Sequence, residues 1–257
     1  MRRFIWLALS AVCSGAAQGA PYYTAASIVN SGNYAPGPFA PDSLVTIFGT
    51  DLMVPGSPAP PRVYVDNVEV PLLYSSPVQI NFVLSSTQAT GNAIVQVFNQ
   101  GIYGPQVAIQ VVDGAPALIL GDGGYAVATH ADNTVITPDA PAHSGEIVVL
   151  YLTGLGKTAP NPAPGEASAY PAQIVHLADL KVLLAGSAVD PSRILYAGLT
   201  PTILGLYQIN FIVPDGTGAD PEIRVSLAGQ SSPPGTPLAV RPSPTLAPAA
   251  GAKPAIR

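Results

Sequence analysis

Charge is scarce in this chain. Only 10% of its 257 residues are Asp, Glu, Lys or Arg while 48% are hydrophobic, the reverse of the highly charged, weakly apolar composition that keeps a polypeptide disordered. The chain therefore folds. Long uninterrupted helices are excluded next, because 29 Pro and 25 Gly make up about a fifth of the residues, and Pro within a helix removes a donor and clashes with the preceding turn. A helical bundle or coiled coil is out. Cysteine and tryptophan are nearly absent, with a single copy of each, Cys13 and Trp6, both close to the N-terminus. Catalytic signatures are missing too: there is no Gly-x-Ser-x-Gly elbow, no His-Glu-x-x-His, no Gly-x-x-x-x-Gly-Lys-Ser/Thr loop and no Cys-based metal pattern.

What is present begins with a leader. Arg2 and Arg3 precede an apolar run from Phe4 to Val12 and a string of small residues from Ser14 to Ala20. That order reads as a secretory signal peptide over residues 1–19, cleaved after Ala17 or Gly19, and too short for a membrane-spanning helix of about 20 residues. Val12, where a small residue is expected, argues against lipid attachment at Cys13. Removing the leader takes away Cys13, Trp6, Arg2 and Arg3, leaving 8 basic against 15 acidic residues, a formal charge of −7 in place of −5. The mature chain can form no disulfide and use no thiol nucleophile, so its stability must come from packed cores. Its few Lys and Arg are scattered over an acidic background, with no footprint for nucleic acid. No later run is long and apolar enough to span a membrane. The expected location is secreted or cell envelope, periplasmic or extracellular.

The chain also repeats itself. Leu44-Val45-Thr46-Ile47-Phe48-Gly49-Thr50-Asp51-Leu52 matches Ile147-Val148-Val149-Leu150-Tyr151-Leu152-Thr153-Gly154-Leu155 at an offset of 103. Leu73-Tyr74 matches Leu195-Tyr196 at 122, and Gln79-Ile80-Asn81-Phe82-Val83 matches Gln208-Ile209-Asn210-Phe211-Ile212 at 129. The second copy thus carries 19 extra residues after its first strand and 7 more before its Gln-Ile-Asn-Phe strand. These runs are short, rich in Val, Ile, Tyr and Thr, and bounded by Gly, Pro, Asn or Asp, as strands are. Asp66-Asn67 joins Val63–Val65 to Val68–Val70 as a two-residue hairpin turn. Asn99-Gln100-Gly101 joins Asn92–Phe98 to Gln106–Val112, and Glu222–Leu227 pairs with Pro237–Arg241. Without the helices of βαβ units, the pattern predicts an all-β protein of two tandem immunoglobulin-like β-sandwich domains from an internal duplication. Domain 1 spans 20–113 and domain 2 spans 114–241. The segment Tyr125–His130 and Thr134–Ile136 reads as an extra pair of edge strands of domain 2, and residues 242–257 as a disordered Pro/Ala-rich tail.

Several strings resemble a known family. Ala25-Ala26-Ser27 before Ala35-Pro36-Gly37, the run Thr46–Leu52, Leu150–Gly156 and Gly205–Pro214 are similar to the Solibacter-type uncharacterised C-terminal domain of exported acidobacterial proteins, over roughly residues 24 to 241. Each half also resembles the immunoglobulin-like IPT/TIG module, in which a strand ending in Gly-Thr-Asp-Leu precedes a hairpin. The resemblance implies an all-β exported module and brings no activity with it. Here the domain is expected to be the entire mature protein, with no attached catalytic domain.

Candidate chemistry is sparse. The alternating geometry of a strand points Ile80 and Phe82 to a core and Gln79 and Asn81 away from it, and likewise Ile209 and Phe211 against Gln208 and Asn210. Two amides per domain can bind sugar hydroxyls or a partner's backbone, or simply tie down a neighbouring loop. Tyr74 and Tyr196 read as core rings with a hydroxyl hydrogen-bonded at a corner. The insertion Gly156–His176, with four prolines, offers Lys157, Asn161, Glu166 and Tyr170 to a partner, or folds back over a sheet edge. The Asp-Gly stretches Asp113-Gly114 and Gly121–Gly124, with Asp132-Asn133, carry oxygen ligands for calcium but lack the spacing that concentrates charge, and read first as turns. His130, His143 and His176 leave open a hydrolase with a spatially assembled Ser-His-Asp site. The principal expectation is a non-catalytic module that binds protein or glycan, with no cofactor and no metal.

Overall fold

The computed structural model describes residues 19–242. Apart from their boundary residues, the leader and the tail lie outside that range. The architecture is all-β. In the first sandwich the strands are β1 (Ile28–Asn30), β2 (Leu44–Phe48), β3 (Arg62–Val65), β4 (Val68–Val70), β5 (Leu72–Ser75), β6 (Gln79–Val83), β7 (Gly91–Asn99), β8 (Ile102–Tyr103) and β9 (Val107–Val111). They form a β1-β2-β6-β5 sheet facing a second sheet of β4-β3-β7, with β8 and β9 both on β7. The two-residue turn between β3 and β4 places Asp66 and Asn67 at φ 49 and φ 65, the left-handed region that their short polar side chains tolerate. Between the sheets lies a core that includes Val45, Ile47, Ile80, Phe82, Val95 and Val97.

The second sandwich continues with β10 (Ala117–Leu118), β11 (Ala128–His130), β12 (Ala142–His143), β13 (Ile147–Thr153), β14 (Thr158–Ala159), β15 (Ala172–Ile174), β16 (Lys181–Leu184), β17 (Ser187–Ala188), β18 (Ile194–Leu199), β19 (Tyr207–Ile212), β20 (Ile223–Leu227), β21 (Gln230–Ser231) and β22 (Val240–Arg241). One sheet runs β10-β13-β19-β18-β15-β14 with β11 also on β13, and the other β17-β16-β20-β21. Their core holds Val148, Leu150, Ile209, Phe211, Val225 and Leu227.

The duplication extends to pairing register. Thr46 faces Asn81 and Phe48 faces Gln79 across β2 and β6, just as Val149 faces Asn210 and Tyr151 faces Gln208 across β13 and β19. Both copies break register at the same place, between Leu72 and Tyr74 in the first and Ile194 and Tyr196 in the second. The parallel bridge from Phe39 to Val111 returns as β12 on β22. One sequence expectation is corrected. The hairpin containing β11 is no added edge pair: β11 aligns on β13 (Ala128 with Leu150) as β1 aligns on β2 (Ile28 with Ile47), so it is the counterpart of β1.

The sandwiches meet through hydrogen bonds between backbone groups and side-chain hydroxyls. Thr153 Oγ1 accepts a hydrogen bond from Leu44 N at 2.9 Å and donates to Gly205 O at 2.9 Å, and Leu120 N donates to Gly32 O at 3.1 Å. Gly154 adopts φ +82, and a Cβ there would overlap the Ala115 carbonyl oxygen of the chain entering the second sandwich. Asp42 lies beside this junction at φ 59, with Oδ2 buried and lacking a hydrogen-bond partner. Burial raises its carboxyl to about 7.

Gly154→Ala should therefore destabilise the protein by at least about 2 kcal/mol in denaturant unfolding, since it combines a left-handed backbone with a steric overlap. For Asp42, the folded state holds its proton over a range where the unfolded chain releases it. Its contribution to stability is complete below about pH 4 and is lost as pH rises through about 7, a change of up to about 4 kcal/mol. Asp42→Asn should flatten that slope in unfolding curves measured from pH 4 to 8; an unchanged slope would locate the pH dependence elsewhere.

Candidate functional site

The outer face of the β1-β2-β6-β5 sheet carries the first pair of amides. Ile80 and Phe82 are fully buried, so the intervening Gln79 and Asn81 turn outward and remain half-buried. Gln79 Nε2 donates to Asn81 Oδ1 at 2.9 Å, and Thr46 Oγ1 donates to the same oxygen at 3.1 Å. The second copy repeats the link, Gln208 Nε2 to Asn210 Oδ1 at 3.0 Å. In both sandwiches an aromatic ring, Phe48 or Tyr151, stands across from the Gln, and a Tyr, Tyr74 or Tyr196, across from the Asn.

The two tyrosines part company in their surroundings. Tyr196 passes over Gly198 to the inserted strand β15, where its hydroxyl accepts from Ala172 N at 3.0 Å, and it also donates to Leu199 O of its own strand at 2.8 Å. Its ionisation is pushed up by burial. Tyr74, on the edge strand β5 with no such cover, is 51% exposed. Its expected place as a core ring is thus corrected: the first sandwich has no strand equivalent to β15 to bury it. The hydroxyl-anchored core rings are Tyr23 and Tyr207. Tyr23 accepts from Val97 N at 2.7 Å and donates to Pro105 O at 2.6 Å, and burial pushes it up to about 12. Tyr207, fully buried, donates to Gly156 O at 2.5 Å and lies 3.4 Å from Pro41 O across the junction.

Tyr74 lines a groove of about 800 Å³ in the first sandwich. One wall is β5, with Leu73 and Tyr74 half exposed; the other carries Arg62 of β3, Glu69 of β4, and Phe98 and Gln100 at the end of β7. Arg62 and Glu69 form an open ion pair at 3.8 Å. Phe98 is backed by Tyr103, ring centroids 4.7 Å apart. Gln100 Nε2 is held by Ser57 Oγ at 2.6 Å and Ala59 O at 3.2 Å, which leaves its amide oxygen as the group it can offer a ligand. Of the groove's polar side chains, Tyr74 belongs to a repeated string, whereas Arg62, Glu69 and Gln100 belong to none.

The insertion does two structural things. Its ends supply β14 and β15, which extend the sheet beyond β18. Its middle reaches the first sandwich, where Ser86 Oγ donates to Pro162 O at 2.9 Å and Asn161 Nδ2 donates to Ser86 O at 3.3 Å. Lys157, Glu166 and Tyr170 are exposed along it, Tyr170 by 76%, and no hydrogen bond or ion pair joins these three side chains and Asn161 to one another.

The histidines are engaged elsewhere. His130 Nδ1 pairs with Glu146 and its Nε2 with Ala140 O, and the carboxylate raises its affinity for a proton. His143 Nδ1 contacts Arg241 O at 3.3 Å, and His176 lies 3.6 Å from Asp179. Among the described residues, no histidine hydrogen-bonds to a Ser hydroxyl. Asp132 Oδ1 accepts from Thr134 N and Oγ1, a closed turn, and Gly121–Gly124 forms a turn with Gly123 and Gly124 at positive φ. No three His, Cys, Asp or Glu residues come together as a metal cluster among the described residues, and none of their helices is long and apolar enough to cross a membrane.

The strand order, the register and the two packed cores define immunoglobulin-like β-sandwiches. Residues 28–111, about a third of the chain, match the IPT/TIG domain family and coincide with the first sandwich. No curated protein matches the sequence. Among solved structures, the gamma-CGTase from alkalophilic Bacillus clarkii is 12% identical over 79% of this chain and 25% of its own, TM-score 0.26. The surface glycan-binding protein PbSGBP-B from Prevotella bryantii is 13% identical over 83% and 41%, TM-score 0.25. Domains 5–6 of the S-layer protein SbsC are 13% identical over 87% and 99%, TM-score 0.29. The chain thus spans a quarter to under half of the first two, and at these scores none lends it a residue or a ligand.

The contrast between the tyrosines is measurable. Tyr196→Phe should cost about 1–2 kcal/mol in chemical denaturation, through the lost link to β15. Tyr74→Phe should stay within about 0.5 kcal/mol of the wild type.

Proposed function

We propose that the protein is an exported, non-catalytic β-sandwich module that acts at the cell envelope or outside the cell by binding a protein or glycan in the groove of its first sandwich. The carrying observation is the half-exposed Tyr74 on the wall of that groove, at a position where the second sandwich has engaged the equivalent ring in its own fold. Concave sites with a few convergent polar groups around apolar and aromatic walls are where ligands bind. The leader-like N-terminus supports export, and the strings shared with the Solibacter-type C-terminal domain support placing the whole repeat unit, residues 20–113 and 114–241, in that family. The His environments described above favour binding over hydrolysis, since the histidines pair with carboxylates and carbonyls and not with serines.

Immobilised full-length protein should retain a ligand from panels of envelope proteins and of glycans, and Tyr74→Ala should lower that retention at least tenfold. Retention by the Tyr74→Ala variant equal to wild type, or none from either panel, would overturn the assignment of binding to this groove.

A further inference from the structure

Resting on that reading, we propose that the groove takes a neutral glycan chain and not a polypeptide strand. A peptide would reach this site most readily by adding to the free edge of β5, because main-chain pairing supplies the affinity of strand addition. That edge is built against it. The strand has four residues, is bulged between Leu72 and Tyr74, and is closed by Pro71 before it and Pro77 after it. Proline offers no N–H to a ladder, and a bulge twists the edge away from a partner. The longer strand of the second copy makes the point by contrast. There β18 runs on to Leu199, and β15 pairs with Gly198 and Leu199. The equivalent positions of the first copy, Ser76 and Pro77, form a tight turn in which Ser76 N donates to Gln79 O and Pro77 O accepts from Leu52 N.

Side chains must therefore do the recognising. Tyr74 offers a ring to the apolar face of a pyranose, with Leu73 beside it and Phe98, itself packed on Tyr103, opposite. Arg62, Glu69 and Gln100 supply five N–H donors, a carboxylate and an amide oxygen, the mixture of donors and acceptors that vicinal hydroxyls need. Arg62 and Glu69 are each slightly more than half exposed, so they can turn to a ligand without leaving a buried charge unpaired. They also cancel one another's charge, so nothing in the groove selects an ionic ligand, and a neutral polysaccharide fits best.

The test is native affinity electrophoresis of the full-length protein in gels containing mixed-linkage β-glucan, xyloglucan, galactomannan, arabinoxylan or glycogen, with calorimetry on oligosaccharides of whichever polymer retards it. Retardation by at least one of these is expected, with at least a tenfold loss of affinity in both Tyr74→Ala and Arg62→Ala. Tyr22→Ser, an exposed ring outside the groove, should bind as wild type and controls for folding. No retardation by any polymer, or retardation that both groove variants preserve, overturns the proposal. If that failure is accompanied by Tyr74-dependent capture of a purified envelope protein, the binding-module reading stands and only the glycan assignment falls. Absence of both overturns the two together.

Discussion

One hydroxyl holds much of this molecule in place. Thr153 Oγ1 is wholly buried and uses both of its functions, taking the Leu44 N–H across the joint and donating to the Gly205 carbonyl of its own sandwich. Leu44 opens β2 and Thr153 closes β13, the equivalent strands of the two copies, so the central strands of the two sheets are tied end to start. Close approach of backbone at that point requires Gly154, which has no Cβ to strike Ala115 O. Tyr207 adds a ring on the same side, with its hydroxyl between Gly156 O and Pro41 O. Hydrogen bonds thus run directly from one sandwich to the other, while the Asp42 carboxyl beside them stays buried and unpartnered.

Duplication then allowed the copies to diverge without loss of fold. Both keep the outward Gln and Asn, the facing aromatic ring, the bulge and the Tyr after it. The insertion in the second copy converted its Tyr196 into a strut for β15, while Tyr74 stayed on the surface. The same residue type in the same register is structural in one sandwich and available in the other, and the cause lies some twenty residues away in sequence.

This explains how far the sequence could be read. Strands such as Gln79–Val83 and Tyr207–Ile212 were legible because alternation of apolar and polar residues reports one buried face, and the Asp66-Asn67 turn because few residues adopt positive φ. The equivalence of β11 and β1 was not legible, because Ala128-Thr129-His130 shares no residue with Ile28-Val29-Asn30 and only pairing reveals it. Tyr74 was misassigned for a related reason: exposure depends on a neighbouring strand that one copy has and the other lacks. Arg62, Glu69 and Gln100 carry no motif at all, being brought together only when β3, β4 and β7 fold beside β5. Asp42 likewise gave no signal, since nothing in its own segment marks it as a buried, unpartnered carboxyl.

A last connection runs from the insertion to the groove. Gly165 packs under Pro71, with the position of its missing Cβ 3.5 Å from Pro71 Cγ, and Pro71 is where the chain turns into β5 and the groove wall begins. The insertion of the second sandwich thus packs against the groove wall of the first. A ligand that required Pro71 in this position would favour the same contact, so binding in the groove and packing of the insertion against its wall would be linked, each strengthening the other.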